Sequence, residues 1–189
     1  MAQRSWPWDS VDGDRMHGSS HPAAAFRAVV SDGYIEGYRE SLEVVESEPP
    51  GMSVRVRLGA SFTQGRFFEV HGESVTVQLE PADGSLDRID RVVVRTDFTG
   101  RTTELAVIEG TPSTTPIAPS LQRDSQVWEM SLARIRVHSG TDTIEQQDIL
   151  DERRDTLVSG PSTLRLEVPP APPVPAETAI VYAIALGGA

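Results

Sequence analysis

From about residue 41 onward, apolar side chains recur at every second position, a period that leaves little room for anything but antiparallel β structure. In Met52–Ala60 the residues at 52, 54, 56, 58 and 60 are apolar or small, while 53, 55 and 57 are Ser, Arg and Arg. That is the pattern of a strand with one face on a core and one in water. Gln64-Gly65 separates two aromatic-bearing runs, 60–63 and 66–70, and reads as a hairpin turn. Val75–Leu79 is a further strand, and Ala82-Asp83-Gly84-Ser85 turns the chain into Ile89–Arg95. Phe98-Thr99-Gly100 leads into Thr102–Ile108. In Ser131–Val137, Ala133, Ile135 and Val137 point inward and Arg134 and Arg136 outward. Short strands divided by Gly- and Asp-rich turns predict a mainly β fold, an antiparallel β-sandwich or small barrel.

The flanks differ from this body. Residues 1–20 are polar and turn-rich and form an N-terminal arm, a candidate docking segment. Ser20 can cap a short helix over residues 21–33, with Pro22 in its first turn, Gly33 at its end, and Phe26, Val29 and Val30 on one face. The β-rich core is expected over 21–158, with a Pro-rich connector near 111–119. Residues 159–189 form a second arm, Pro-rich at 169–175, and end in Thr178–Leu186, which is apolar on both faces. A strand of that kind has to be covered on both sides, so Ile180, Tyr182, Ile184 and Leu186 are expected in an interface. Trp6 and Trp8 are expected to contact another chain or the body of the domain, because two free tryptophans invite aggregation.

Charge narrows the function. Seventeen basic residues stand against 28 acidic ones, for a net charge of −11. Phosphate binding needs concentrated positive charge, so neither nucleic acid nor an anionic membrane is expected as a partner. Every basic residue is arginine, whose planar fork pairs with carboxylates in two places at once. With no cysteine, disulfides, zinc–thiolate sites and thiol nucleophiles are excluded. The beginning of the sequence lacks the apolar run of a signal peptide, and no stretch approaches the ~20 apolar residues of a membrane span; a soluble protein is expected.

Little in the sequence suggests catalysis. Asp9, Asp12 and Asp14 surround Gly13 but lack the downstream glutamate of a calcium loop, and are expected to cap turns and pair with Arg15. His17, His21, His71 and His138 have no ligand spacing. There is no G-x-S-x-G and no phosphate loop. No catalytic residue, metal or cofactor is expected, and the chain does not read as an enzyme. Three charged segments lie beside apolar positions instead: Asp12–Arg15, Asp87–Arg91 and Asp148–Arg154. They are either solvated runs or a structural ionic network, with Asp12, Asp14, Arg15, Arg88, Asp90, Asp151 and Arg153 as its members.

The same segments carry a resemblance. Asp9-Ser10-Val11-Asp12-Gly13-Asp14-Arg15, Gly51–Ser61, Arg88-Ile89-Asp90-Arg91-Val92-Val93-Val94-Arg95, Gly110-Thr111-Pro112 through Pro116, Leu132–Val137 and Ile149–Arg153 follow in order. This order resembles a family of minor tail and baseplate proteins of tailed bacteriophages, mostly of Gram-positive hosts. Two departures fall in the hairpin: Phe62 stands where an aliphatic residue is usual, and Arg66-Phe67-Phe68 where an aromatic strand is usual. The last thirty-five residues lie outside the resemblance. It implies a virion component, made in the host cytoplasm, that connects the tail to receptor-binding parts. The partners it implies are other tail or baseplate proteins and further copies of the chain, a trimer above all. Contractile injection particles reuse such parts and share the expectation. A cell-wall carbohydrate-binding adhesin is the alternative, with Trp6, Trp8, Trp128, Tyr34 and Tyr38 as stacking platforms for a host glycan.

Overall fold

A computed structural model describes residues 20–165. It is mainly β, with one short helix and three antiparallel sheets that pack in a sandwich-like arrangement; the described residues form no closed barrel. Helix α1 (Ser20–Val29) comes first. The strands follow as β1 (Gly33–Tyr34), β2 (Val44–Glu46), β3 (Ser53–Val56), β4 (Gly59–Thr63), β5 (Arg66–Val70), β6 (Val75–Gln78), β7 (Arg88–Asp97), β8 (Thr102–Ile108), β9 (Val127–Val137) and β10 (Ile149–Asp151). A single 3₁₀ turn, Gln146–Asp148, precedes β10.

One long hairpin links the two three-stranded sheets. β4 pairs with β5 and β3 with β6 in registers that differ by two residues, with Arg57–Leu58 on one side of the break and His71–Ser74 on the other. The break lets the strands change sheets, giving β1-β4-β5 on one side and β2-β3-β6 on the other. The predicted turn closes the hairpin. Thr63 faces Arg66, and Gln64 and Gly65 both have positive φ (52° and 73°), as a two-residue turn requires. Gly65 is also needed for space, since a Cβ there would collide with the Ala23 carbonyl of α1.

The largest sheet, β10-β9-β7-β8, supplies half of the core. Val92 and Val94 of β7 and Met130, Leu132, Ala133, Ile135 and Val137 of β9 join Val54, Val56, Val44 and Leu42 in one buried cluster. Strict alternation would put Met130 and Leu132 on the face opposite Ala133, Ile135 and Val137. A bulge resolves this: Val92 pairs with Ala133 but Val93 pairs with Ser131, so one extra residue shifts the phase. The expected inward set therefore describes only the second half of β9.

Other expectations are corrected. The helix stops at Val29, and Gly33 opens β1 rather than capping α1. Ala23 is the buried residue of α1, while Phe26 and Val29 stay about half exposed. The polar stretch after Val137 contains β10, which pairs with Ala133–Ile135. Residues 160–165 run back along the start of the domain: Ser31 N–H donates to the Thr163 carbonyl (2.8 Å) and Arg165 N–H to that of Val29 (2.8 Å).

Candidate functional site

Arg88 and Asp90 are two residues apart on β7 and so share a face, the one that carries Val92 and Val94 into the core. Both are buried, at 2% and 0% exposure. Arg88 Nε donates to Asp90 Oδ1 (3.0 Å), Nη1 to the Pro81 carbonyl (2.6 Å) and Nη2 to the Glu80 carbonyl (2.5 Å). Asp90 Oδ1 also accepts the Gly110 N–H (2.9 Å). Gly110 can come that close only without a side chain, because a Cβ would strike the Ile89 carbonyl. The pair thus ties two connectors to β7, one after β6 and one after β8.

The other face of β7 holds a different arrangement. Arg91 and Arg134 stand directly opposite each other on β7 and β9, a placement that repels when left alone. Buried Glu152 lies between them, with Arg134 Nε 2.8 Å and Arg91 Nε 3.1 Å from its carboxylate. Neither Nε–H has a hydrogen-bond acceptor, while Arg91 Nη2 donates to Glu152 Oε1 (3.4 Å). Ser131 Oγ donates to Glu152 Oε2 (2.6 Å), and Arg91 Nη1 to the Pro119 carbonyl (2.7 Å). Four residues further along β7, on the same face, Arg95 faces Glu129 across the strands and donates to it (2.8 Å).

Two more arginines repeat the device. Arg123 donates to the carbonyls of Leu157 (3.0 Å) and Val158 (2.6 Å). Arg153 holds Asp151 through Nε (2.9 Å) and Nη2 (2.7 Å), and its Nη1 reaches the Ser41 carbonyl (3.0 Å). Burial raises the Asp151 pKa, but the Arg153 side chain, backbone N–H and charge outweigh it and hold the carboxyl below its ordinary value. Arg88–Asp90 and Asp151–Arg153 are separate pairs, with no side-chain hydrogen bond between them among the described residues. Asp12, Asp14, Arg15, Trp6, Trp8, Ile180, Tyr182, Ile184 and Leu186 lie outside the described residues.

Glu152, Arg91, Arg134 and Glu129 are the residues that sequence reasoning missed as site members. Their signal was present but mute: Arg134 occupies an outward position by period, and only the return of residue 152 to that spot covers it. Of the described aromatic platforms, Tyr34 is buried (2% exposed) and cannot stack on a sugar. Trp128 carries the Arg123 guanidinium over its ring (5.7 Å), and the Tyr38 hydroxyl donates to Glu69 (2.8 Å).

An exposed aromatic surface lies elsewhere among the described residues. An open groove of about 530 Å³ runs between α1, the β4–β5 hairpin and the β7–β8 turn, lined by Pro22, Phe26, Phe67, Phe98, Arg66 and Arg101. Phe26 and Phe67 both pack on Phe62, at 5.6 and 5.4 Å between ring centroids, and each remains about half exposed. Arg66 lies over the Phe98 ring at 4.7 Å. No helix among the described residues is long and apolar enough to cross a membrane. Comparison of the chain with family models, curated proteins and solved structures found no match.

Proposed function

We propose that the protein is a structural subunit of the tail tip or baseplate of a tailed bacteriophage particle, connecting the tail to receptor-binding parts. One observation carries the reading: three of the segments that resemble phage tail proteins, Arg88–Arg95, Leu132–Val137 and Ile149–Arg153, carry charged residues that fasten the fold together. Arg88 and Asp90 bind the connectors at Glu80–Pro81 and Gly110, Arg91 binds Pro119, and Arg153 binds Ser41. Motif residues so engaged set a rigid shape, which is what a repeated building block requires.

In this role the protein associates with other tail proteins and with copies of itself, and residues 169–189 supply the contact. Deleting 169–189 is expected to abolish assembly, read as the solution mass by light scattering, while the far-ultraviolet circular dichroism of the β domain persists. A truncated protein that assembled as the full chain does would remove the tail segment from the reading. Absence of the protein from purified particles, probed with an antibody, would remove the virion itself.

A further inference from the structure

The groove between α1 and the β4–β5 hairpin combines an exposed aromatic surface with two cationic side chains. It exposes Phe26 and Phe67 side by side, and it is flanked by Arg66 and Arg101, neither of which pairs with a carboxylate among the described residues. In a chain of net charge −11, two arginines without a carboxylate partner among the described residues, beside a phenylalanine cluster, fit a ligand that is both aromatic and acidic.

We propose that this groove is the docking site for the chain's own N-terminal segment Trp6-Pro7-Trp8-Asp9, with the indoles on Phe26 and Phe67 and the acidic side chains toward Arg66 and Arg101. The segment has the matching chemistry: two tryptophans followed by Asp9, Asp12 and Asp14. It also starts from the right place. The described chain begins at Ser20, and Pro22, at the entrance to α1, is itself a wall of the groove. The 14 peptide steps from Trp8 to Pro22 extend to at most about 50 Å, ample for the arm to fold back. The tether makes the event intramolecular, so modest contacts suffice where a free ligand would need high concentration. The apolar run Ala179–Leu186 carries no charge and so offers nothing to the two arginines. This inference stands independently of the tail role, because it concerns how one chain covers its own surface.

The test uses the full chain labelled with fluorotryptophan. Its three indole signals are assigned with Trp6→Phe and Trp8→Phe, and their solvent access is read from relaxation by a soluble paramagnetic agent. Trp6 and Trp8 are expected to relax several-fold more slowly than in a free peptide of residues 4–14. Phe67→Glu and Arg101→Glu, on different elements and both at exposed sites, are each expected to abolish that protection. The Trp128 signal reports that the domain stays folded. Indoles as accessible as in the peptide, or protection unchanged in both variants, would overturn the proposal. Protection that disappears on dilution together with a fall in solution mass would also overturn it, assigning the groove to the arm of a second copy.

Discussion

Asp87 and Asp90 stand three residues apart at the head of β7, and each pairs with an arginine, yet their surroundings are opposite. Asp90 is fully buried with Arg88, and every bond of the pair ends on another group of the protein. Asp87 accepts from Ser139 N–H (2.9 Å) and Arg136 Nη2 (2.9 Å), with His138 Nδ1 3.3 Å away, but Arg136 is more than half exposed. In water the Arg136 charge is already solvated, and pairing gains little. In the core, removing one partner strands the other in a medium that cannot solvate it. The contrast teaches that the number of ion pairs says little about their worth; burial and the backbone groups they hold decide it.

The strongest way to break the contrast is Asp90→Ala. It leaves Arg88 buried with Glu109, 3.9 Å away and half exposed, as its one remaining carboxylate among the described residues, and is expected to lower unfolding stability by about 3–5 kcal/mol in a urea titration. The Arg88→Met, Asp90→Leu double variant, which leaves no charge behind, should recover most of that loss. If the single and double variants proved equally unstable, the lost connector bonds rather than the stranded charge would be the cause.

Glu152→Ala comes next. It sets Arg91 and Arg134 against each other with nothing between, but Arg134 is more than a third exposed and can turn to solvent. The expected loss is roughly 2–4 kcal/mol, less than that of Asp90→Ala when measured side by side. Replacing Arg134 by Leu in the same background should reverse part of it, and no reversal would exclude the like-charge explanation.

Asp87→Asn is expected to have the smallest effect, present near neutral pH and vanishing in acid. The Ser139 N–H and the Arg136 side chain hold the Asp87 carboxyl below its ordinary value of 3.8. A group whose folded pKa is depressed contributes stability that is present above its unfolded pKa and is lost as the pH falls through the folded one. The variant should therefore lie slightly below the parent chain in stability near neutral pH and converge with it in acid, its stability declining less steeply below about pH 4. Added salt should erode the Asp87 effect and leave that of Asp90 intact. A Glu152 or Asp90 loss that salt removed would place those pairs at the surface.

Much of this fold was legible because period-two alternation is a local signal. Val54 and Val56 sit where the alternation put them, and the Gln64-Gly65 turn closes its hairpin. The interior charges were only half legible. Asp and Arg a few residues apart beside apolar positions marked Arg88 and Asp90 as candidates, but the same description fits Asp87, which remains at the surface. Glu152 gave no sign of its role, since its two arginines come from strands distant in sequence.

By itself the sequence determined that this chain builds antiparallel β structure, that it excludes thiol chemistry, and that its cations are all arginine. Those properties follow from residue identity and from a repeat that each strand carries alone. Only the tertiary structure decided which charges are buried, which face of β9 continues past the bulge, and which arginines hold connectors. Each of those depends on a segment returning from far along the chain: Gly110 to Asp90, Pro119 to Arg91, residue 152 to Arg134. A side chain's period fixes the side of the sheet it occupies, whereas its burial depends on what packs over that side.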